Sequence, residues 1–204
     1  MKHRAVIFDL WDTLVAWPVD SAEELNARMA KCVAVASEHF YEAWVAARPE
    51  REVGPLEPSV RAMCGTLGLD GTHVDELVSM RRRHTAEVLI PIPGALRVLE
   101  TLRSRGYALG LISNCSEDVA WNWAATELAD YVDEAILSCS VGLRKPDRRI
   151  YELAAERLGV KTSECLFVDD RPDFIEGAIA AGMDAVQLGS ERAPRLEDVL
   201  ELAK

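Results

Sequence analysis

Residues 92–114 read IPGALRVLETLRSRGYALGLISN, and this stretch decides the fold. Gly94–Arg105 has the pattern of a helix, and Ala108–Ser113 (ALGLIS) is a short apolar run that reads as a buried strand. The same alternation continues to the C-terminal side. Glu134–Leu137, Cys165–Asp169 and Asp184–Leu188 read as strands, and Ser116–Leu128, Asp147–Leu158 and Asp173–Ala181 as helices. Ala5–Asp9 adds a strand at the start. Strands alternating with helices require crossover connections, so the fold class is α/β with a parallel sheet. Near-continuous apolar strands are what such a sheet needs, because helices cover both of its faces.

The segment from about Ser21 to Leu89 breaks this rhythm. Ala22, Leu25, Met29, Cys32, Ala36, Phe40 and Trp44 recur at steps of three and four, which gives one apolar helix face. Ser59–Leu67 and Thr72–Val88 also read as helical, with Ser59 and Thr72 as candidate N-caps. An all-helical block therefore sits between the first and second strands, hinged at Trp17-Pro18 and at Pro91-Ile92-Pro93-Gly94. The division expected is an α/β core over 1–16 and 91–204 and a small helical domain over 17–90. An insertion there overhangs the carboxyl ends of the strands, where open α/β sheets bind ligands.

The chain has 204 residues, a formal charge of −11, 49% apolar and 28% charged residues, which excludes a disordered or collagen-like chain. The acidic balance argues against nucleic acid or an anionic membrane as the main partner. The five cysteines form no CxxC pair, so neither a disulfide framework nor a zinc site is expected, and a reduced cytoplasm is the simplest compartment. No apolar run approaches the roughly 18 residues of a membrane helix or the pattern of a signal peptide.

Four clusters fall at strand ends. Phe8-Asp9-Leu10-Trp11-Asp12-Thr13-Leu14 follows the first strand, and Asp9 there is either a loop cap or a group aimed at ligand. Ser113-Asn114 closes the second, where a hydroxyl serves as a helix N-cap or as a donor to an anion. Arg144-Lys145-Pro146-Asp147 opens a helix, either as a solvated turn or as an anion site. Phe167-Val168-Asp169-Asp170 ends a strand with adjacent carboxylates, which repel unless a cation such as magnesium neutralises them.

In order and spacing, FDLWDTL at 8–14, LISN at 111–114, RKPD at 144–147 and FVDD at 167–170 resemble the motifs of the haloacid dehalogenase (HAD) superfamily, in the branch with a helical cap inserted after the first motif. The resemblance covers the first 15 residues and about 91–188, and implies a Rossmann-like core. For the superfamily's phosphatases it implies Asp9 as nucleophile, forming an aspartyl phosphate, and Mg2+ as cofactor. The metal would be held by Asp9, the backbone carbonyl of Trp11 and Asp170, with Asp169 acting through water. Ser113 and Lys145 would hold the phosphoryl oxygens, with Thr13 and Asn114 as further substrate-binding residues.

The first motif departs from that pattern. The superfamily's phosphatases carry an acid/base Asp two residues after the nucleophile, and here Trp11 stands in its place. Indole is neither acid nor base near neutrality. Asp12 is the candidate substitute for that acid/base. An aromatic residue at this position is the pattern of the metal-free 2-haloacid dehalogenases, which Thr13, Ser113, Asn114, Lys145 and Tyr151 also suit. Asp169-Asp170 opposes that reading. The expectation is a magnesium-dependent hydrolase of a small phosphorylated metabolite. The alternatives are a metal-free carbon-centred hydrolase and a non-catalytic module binding a phospho-ligand or a protein. Among the remaining residues, Arg81-Arg82-Arg83-His84 reads as a solvated face, Trp44 and Arg48 as cap candidates for the substrate, Arg171 as a partner of the acidic pair, and Cys115 as incidental.

Overall fold

A computed structural model of the chain describes residues 2–189 and 194–204. Its sheet has five parallel strands in the order β3-β2-β1-β4-β5. They are β1 (Ala5–Phe8), β2 (Ala108–Ser113), β3 (Glu134–Leu137), β4 (Cys165–Asp169) and β5 (Asp184–Gln187). The residues of β1 alternate between two cores. Val6 and Phe8 join Leu109, Leu111, Leu166 and Val168 on one face, and Ala5 and Ile7 join Ile112, Cys165 and Phe167 on the other. Each large apolar side chain so buried contributes about 1.5–3 kcal/mol. The central strand β1 has both neighbours in parallel register, Phe8 opposite Leu111 and Val168, so the residues just after these meet at one edge.

Between β1 and β2 lie α1 (Val19–Cys32), α2 (Ser37–Ala46), α3 (Arg48–Arg51), α4 (Leu56–Thr66) and α5 (Val74–Val88), around a separate apolar cluster that includes Leu25, Met29, Phe40, Trp44, Leu56 and Leu77. The apolar face expected from Ala22 to Trp44 is split between two helices, because the chain turns at Val33–Ala36 with Ala34 at φ 54°. Ser59 is not an N-cap. It lies inside α4, whose first N–H, that of Leu56, donates instead to Glu117 Oε2 at 2.9 Å. Thr72 precedes α5 and donates from its N–H and hydroxyl to Asp70 Oδ1. The two crossings between block and core run side by side, joined by the Val15–Pro91 bridge and by the Ile92 N–H donating to the Leu14 carbonyl at 2.9 Å.

The rest of the chain supplies α6 (Ala95–Ser104), α7 (Glu117–Trp123), α8 (Ser138–Val141), α9 (Arg148–Arg157), α10 (Pro172–Ala180) and α11 (Val199–Leu202). The helix expected over Ser116–Leu128 ends at Trp123, and Leu128 belongs to a 3-10 turn. Asp147 is the N-cap of α9, accepting from the Arg149 N–H at 2.9 Å.

The helical block is fastened to α7. Arg81 Nη2 donates to Asp118 Oδ2 at 3.0 Å, Thr85 Oγ1 donates to the same oxygen at 2.5 Å, and the Ser116 hydroxyl donates to Asp118 Oδ1. Arg82 pairs with Glu117 at 3.1 Å, and Asn122 donates to the Arg82 carbonyl at 2.9 Å. Arg81 and Arg82 are therefore not a solvated face: both face carboxylates of the core. Burial by itself would raise the Asp118 carboxyl, but Arg81, Ser116 and Thr85 reverse this and hold it below its ordinary value. In the unfolded chain an Asp ionises near pH ~3.9. The stability from this latch is thus fully present above that pH and is lost as pH falls through the lower folded value. Asp118→Asn leaves Arg81 without its buried partner and is expected to cost about 3 kcal/mol at pH 7. Urea unfolding at pH 7 and in the acid range checks both the loss and a flatter acid limb; equal stability at pH 7 would refute the latch.

Candidate active site

The carboxyl ends of β1 and β4 place three acids together. Asp9 directly follows β1, with its N–H donating to the Val168 carbonyl at 2.8 Å, and Asp169 ends β4 beside it. Asp170 comes next, and carboxylate oxygens of Asp9, Asp169 and Asp170 lie within 4.8 Å of one another. Among the described residues, one cation pairs with the group. The fully buried Lys145 donates from Nζ to Asp9 Oδ1 at 2.5 Å and to Asp169 Oδ2 at 2.6 Å. Asn114 holds the Lys145 backbone from both sides. Its amide donates to the Lys145 carbonyl at 3.0 Å and its Oδ1 accepts from the Lys145 N–H at 2.8 Å. Asn114, expected to bind substrate, thus has a positioning task that ties the end of β2 to the lysine.

Three carboxylates against one ammonium leave the cluster short of positive charge. Burial, opposed by Lys145 and aided by Asp169, raises the Asp9 carboxyl to about 7. Burial and then Asp169 raise that of Asp170 to about 6. Asp169 has both oxygens engaged, since Oδ1 also accepts from the Arg171 N–H at 2.9 Å. Oxygen-only ligands with excess negative charge suit a hard divalent cation, so the residues fit one. Thr13 Oγ1 and Ser113 Oγ are also buried without a hydrogen-bond partner among the described residues. A buried hydroxyl without a partner is costly, and a ligand oxygen would satisfy it.

Above the acids lies a cavity of about 410 Å³, walled by Asp9, Asp170 and Trp11 from the sheet edge and by Trp44, Arg51 and Arg81 from the helical block. A family profile described as a hydrolase, haloacid dehalogenase-like hydrolase, matches residues 3–182. The chain belongs to this family of hydrolases. Among its relatives is "Phosphatase MT3486" of Mycobacterium tuberculosis, 32% identical over 191 residues, 91% of this chain and 87% of that one. Another is "(S)-2-haloacid dehalogenase 4A" of Burkholderia cepacia, 28% identical over 63% of this chain and 57% of that one. The crystal structure of 2-haloacid dehalogenase from Pseudomonas syringae pv. Tomato superposes with a TM-score of 0.72 at 25% identity, covering 98% of this chain and 97% of that one.

Within this haloacid dehalogenase-like hydrolase, the loop after β1 sets up the departure. Trp11 is half-buried and packs edge-on against Trp17, with ring centroids 5.1 Å apart. Asp12 takes a left-handed conformation at φ 58°, and its Oδ1 accepts from the Trp17 N–H at 2.9 Å. The expected acid/base substitute therefore has one oxygen committed to the hinge. Tyr151 lies in the core beneath the sheet, where its hydroxyl donates to the Phe174 carbonyl at 2.8 Å. Arg171 does not pair with the acidic pair through its guanidinium, which goes to Asp173 at 2.8 Å. Cys115 is buried and its thiol is pushed up, first by its hydrogen bond with Cys139 and then by burial, so it is no thiolate. His3 bridges Asp184 and the Ala203 carbonyl as a structural residue. Sequence reading missed Arg51, which is 5% exposed in the cavity wall.

Proposed function

We propose that this hydrolase is a magnesium-dependent phosphohydrolase of small phosphorylated metabolites, acting through an aspartyl phosphate on Asp9. The observation that carries the reading is the cluster of buried Asp9 and Asp169 with half-buried Asp170, and Lys145 as its sole paired cation among the described residues. A metal-free site would leave those acids poorly compensated. Asp9, Asp170 and the Trp11 carbonyl would hold magnesium, with Asp169 acting through water. When bound, the ion supplies Lewis-acid stabilisation of the phosphoryl oxygens. The helical block serves as the cap, placed over the carboxyl ends of the sheet.

In the first step an Asp9 carboxylate oxygen forms a bond to phosphorus while the ester P–O bond breaks, and the alcohol leaves as an alkoxide or its equivalent. Lys145 keeps Asp9 in place and offsets its charge. Thr13 and Ser113 donate to the phosphoryl oxygens, which accounts for their lack of partners among the described residues. In the second step water adds to phosphorus, the Asp9–phosphorus bond breaks, and phosphate leaves with the water's proton going to solvent. Trp11 cannot protonate the departing oxygen. The substrates favoured are therefore acyl or aryl phosphates, whose weakly basic leaving groups depart as anions without protonation.

Phosphate release from alkyl, aryl and acyl phosphates, with magnesium and with chelator, tests this. The expected result is release that falls by about 10³ with chelator, matching the several kcal/mol a bound divalent cation contributes. Aryl and acyl phosphates are expected to exceed alkyl esters by about 10² or more, the usual contribution of general acid catalysis. A second reading, carbon-centred dehalogenation without metal, is favoured by the aromatic Trp11 and by relatives named as haloacid dehalogenases. Chelator-insensitive halide release from 2-haloacids, with no phosphate release, would replace the first reading by the second.

A further inference from the structure

The cavity has a second charged feature that the phosphoryl chemistry leaves unused. Of the five arginines in its wall, Arg144 pairs with Glu52 at 3.1 Å, Arg171 with Asp173 at 2.8 Å and Arg81 with Asp118 at 3.0 Å, while Arg48 is exposed to solvent. Arg51 has no ion-pair partner among the described residues, although it is only 5% exposed. Its Nη1 donates to the Trp44 carbonyl at 2.8 Å, and its guanidinium lies 3.8 Å from the centroid of the Trp44 ring. The Arg81 guanidinium lies 5.1 Å from the same ring. Two guanidiniums share one indole, and the acid whose charge acts most on Arg51, Asp118, already serves Arg81.

Burying an unpaired guanidinium beside a like charge is unfavourable. Burial, and then Arg81, lowers the Arg51 pKa to about 10. Such a group persists where function uses it, and the planar fork of a guanidinium matches an oxyanion bidentately. Arg51 rises from the cap wall of the cavity whose floor holds Asp9.

We infer that Arg51, backed by Trp44 and supported by Arg81, is a specificity subsite for a second oxyanion of the substrate, so that the enzyme acts on phosphate compounds bearing a distal carboxylate or second phosphate. The inference rests on the phosphohydrolase reading only for the reacting phosphate, and equilibrium binding tests it without turnover. The probes are two matched pairs: 3-phosphoglycerate against glycerol 3-phosphate, and fructose 1,6-bisphosphate against fructose 6-phosphate. Calorimetry with magnesium compares the Asp9→Asn protein with its Asp9→Asn/Arg51→Gln derivative.

The member with the second anion is expected to bind the parent about 10-fold tighter or better, the gain of one charge-assisted bidentate contact. The carboxylate and bisphosphate arms show which oxyanion is preferred. In Arg51→Gln the advantage falls to about one while the neutral-ended member keeps its Kd within about two-fold. If Arg51→Gln does not fold, Arg51→Lys carries the test: it keeps the charge, loses the fork, and is expected to retain only part of the advantage. Equal binding within both pairs, equal weakening of both members in Arg51→Gln, or binding of none of the four compounds overturns the subsite. Phosphate release by the unmodified enzyme is read separately, on the aryl and acyl phosphates of the turnover test. Release without a binding advantage defeats the subsite alone, and an advantage without release defeats the phosphohydrolase reading alone.

Discussion

Asp9→Asn is expected to lower turnover by at least about 10⁴, the loss seen when a covalent nucleophile is removed from an otherwise intact site. The substitution keeps the shape and removes the charge. It also takes away one of the two carboxylates that accept from Lys145 Nζ, the other being Asp169 at 2.6 Å. Removing a raised, half-compensated carboxyl from this pocket relieves repulsion with Asp169. The variant should therefore fold and be no less stable than the parent. Activity and stability are expected to move independently, which distinguishes a nucleophile from a structural acid. Steady-state phosphate release together with thermal unfolding checks both. Retained turnover would remove Asp9 from the mechanism whatever the substrate. A parallel loss of folding would recast it as a structural partner of Lys145.

The parallel sheet was legible because its strands are buried on both faces. ALGLIS and CLFVD leave no polar alternation to confuse with an exposed hairpin, and both appear as strands with those bounds. The acids were legible for a related reason: Asp9 and Asp169 interrupt apolar runs at the point where a strand must end. Other features left no local trace. The break between α1 and α2 comes from Ala34 in a left-handed conformation, which alanine does not signal. Arg51 stands in RPERE, a charged stretch with no apolar residue but Pro49 to mark a buried face, and its burial comes from packing on Trp44, seven residues away. Arg81 has the local pattern of a solvent-facing residue because its partner, Asp118, lies 37 residues further along the chain and on another element. Periodicity reports what faces a core; it does not report which buried position will meet a charge from elsewhere.

Trp11→Asp is expected to raise kcat on alkyl phosphates by about 10³ and to change aryl phosphates far less, because an acid assists only leaving groups too basic to depart as anions. The indole lines the cavity that also holds Asp9 and Asp170, so a carboxylate there faces the same space as the reacting group. Nearby Asp12 and Asp170 would raise the pKa of the introduced carboxyl by like-charge repulsion, which favours the protonated form an acid needs. Loss of the edge-on contact with Trp17 is expected to cost about 1 kcal/mol of stability, small against the gain in rate. The decisive readout is the dependence of rate on leaving-group pKa: steep in the parent and flat in Trp11→Asp. The same steep dependence in both proteins would mean that proton transfer is not what limits this site. Asp12→Asn supplies the complementary measurement. Its side-chain oxygen can still accept from the Trp17 N–H, so a loss of alkyl phosphatase activity there would locate the proton donor at Asp12, and unchanged activity would leave Asp12 to its hinge.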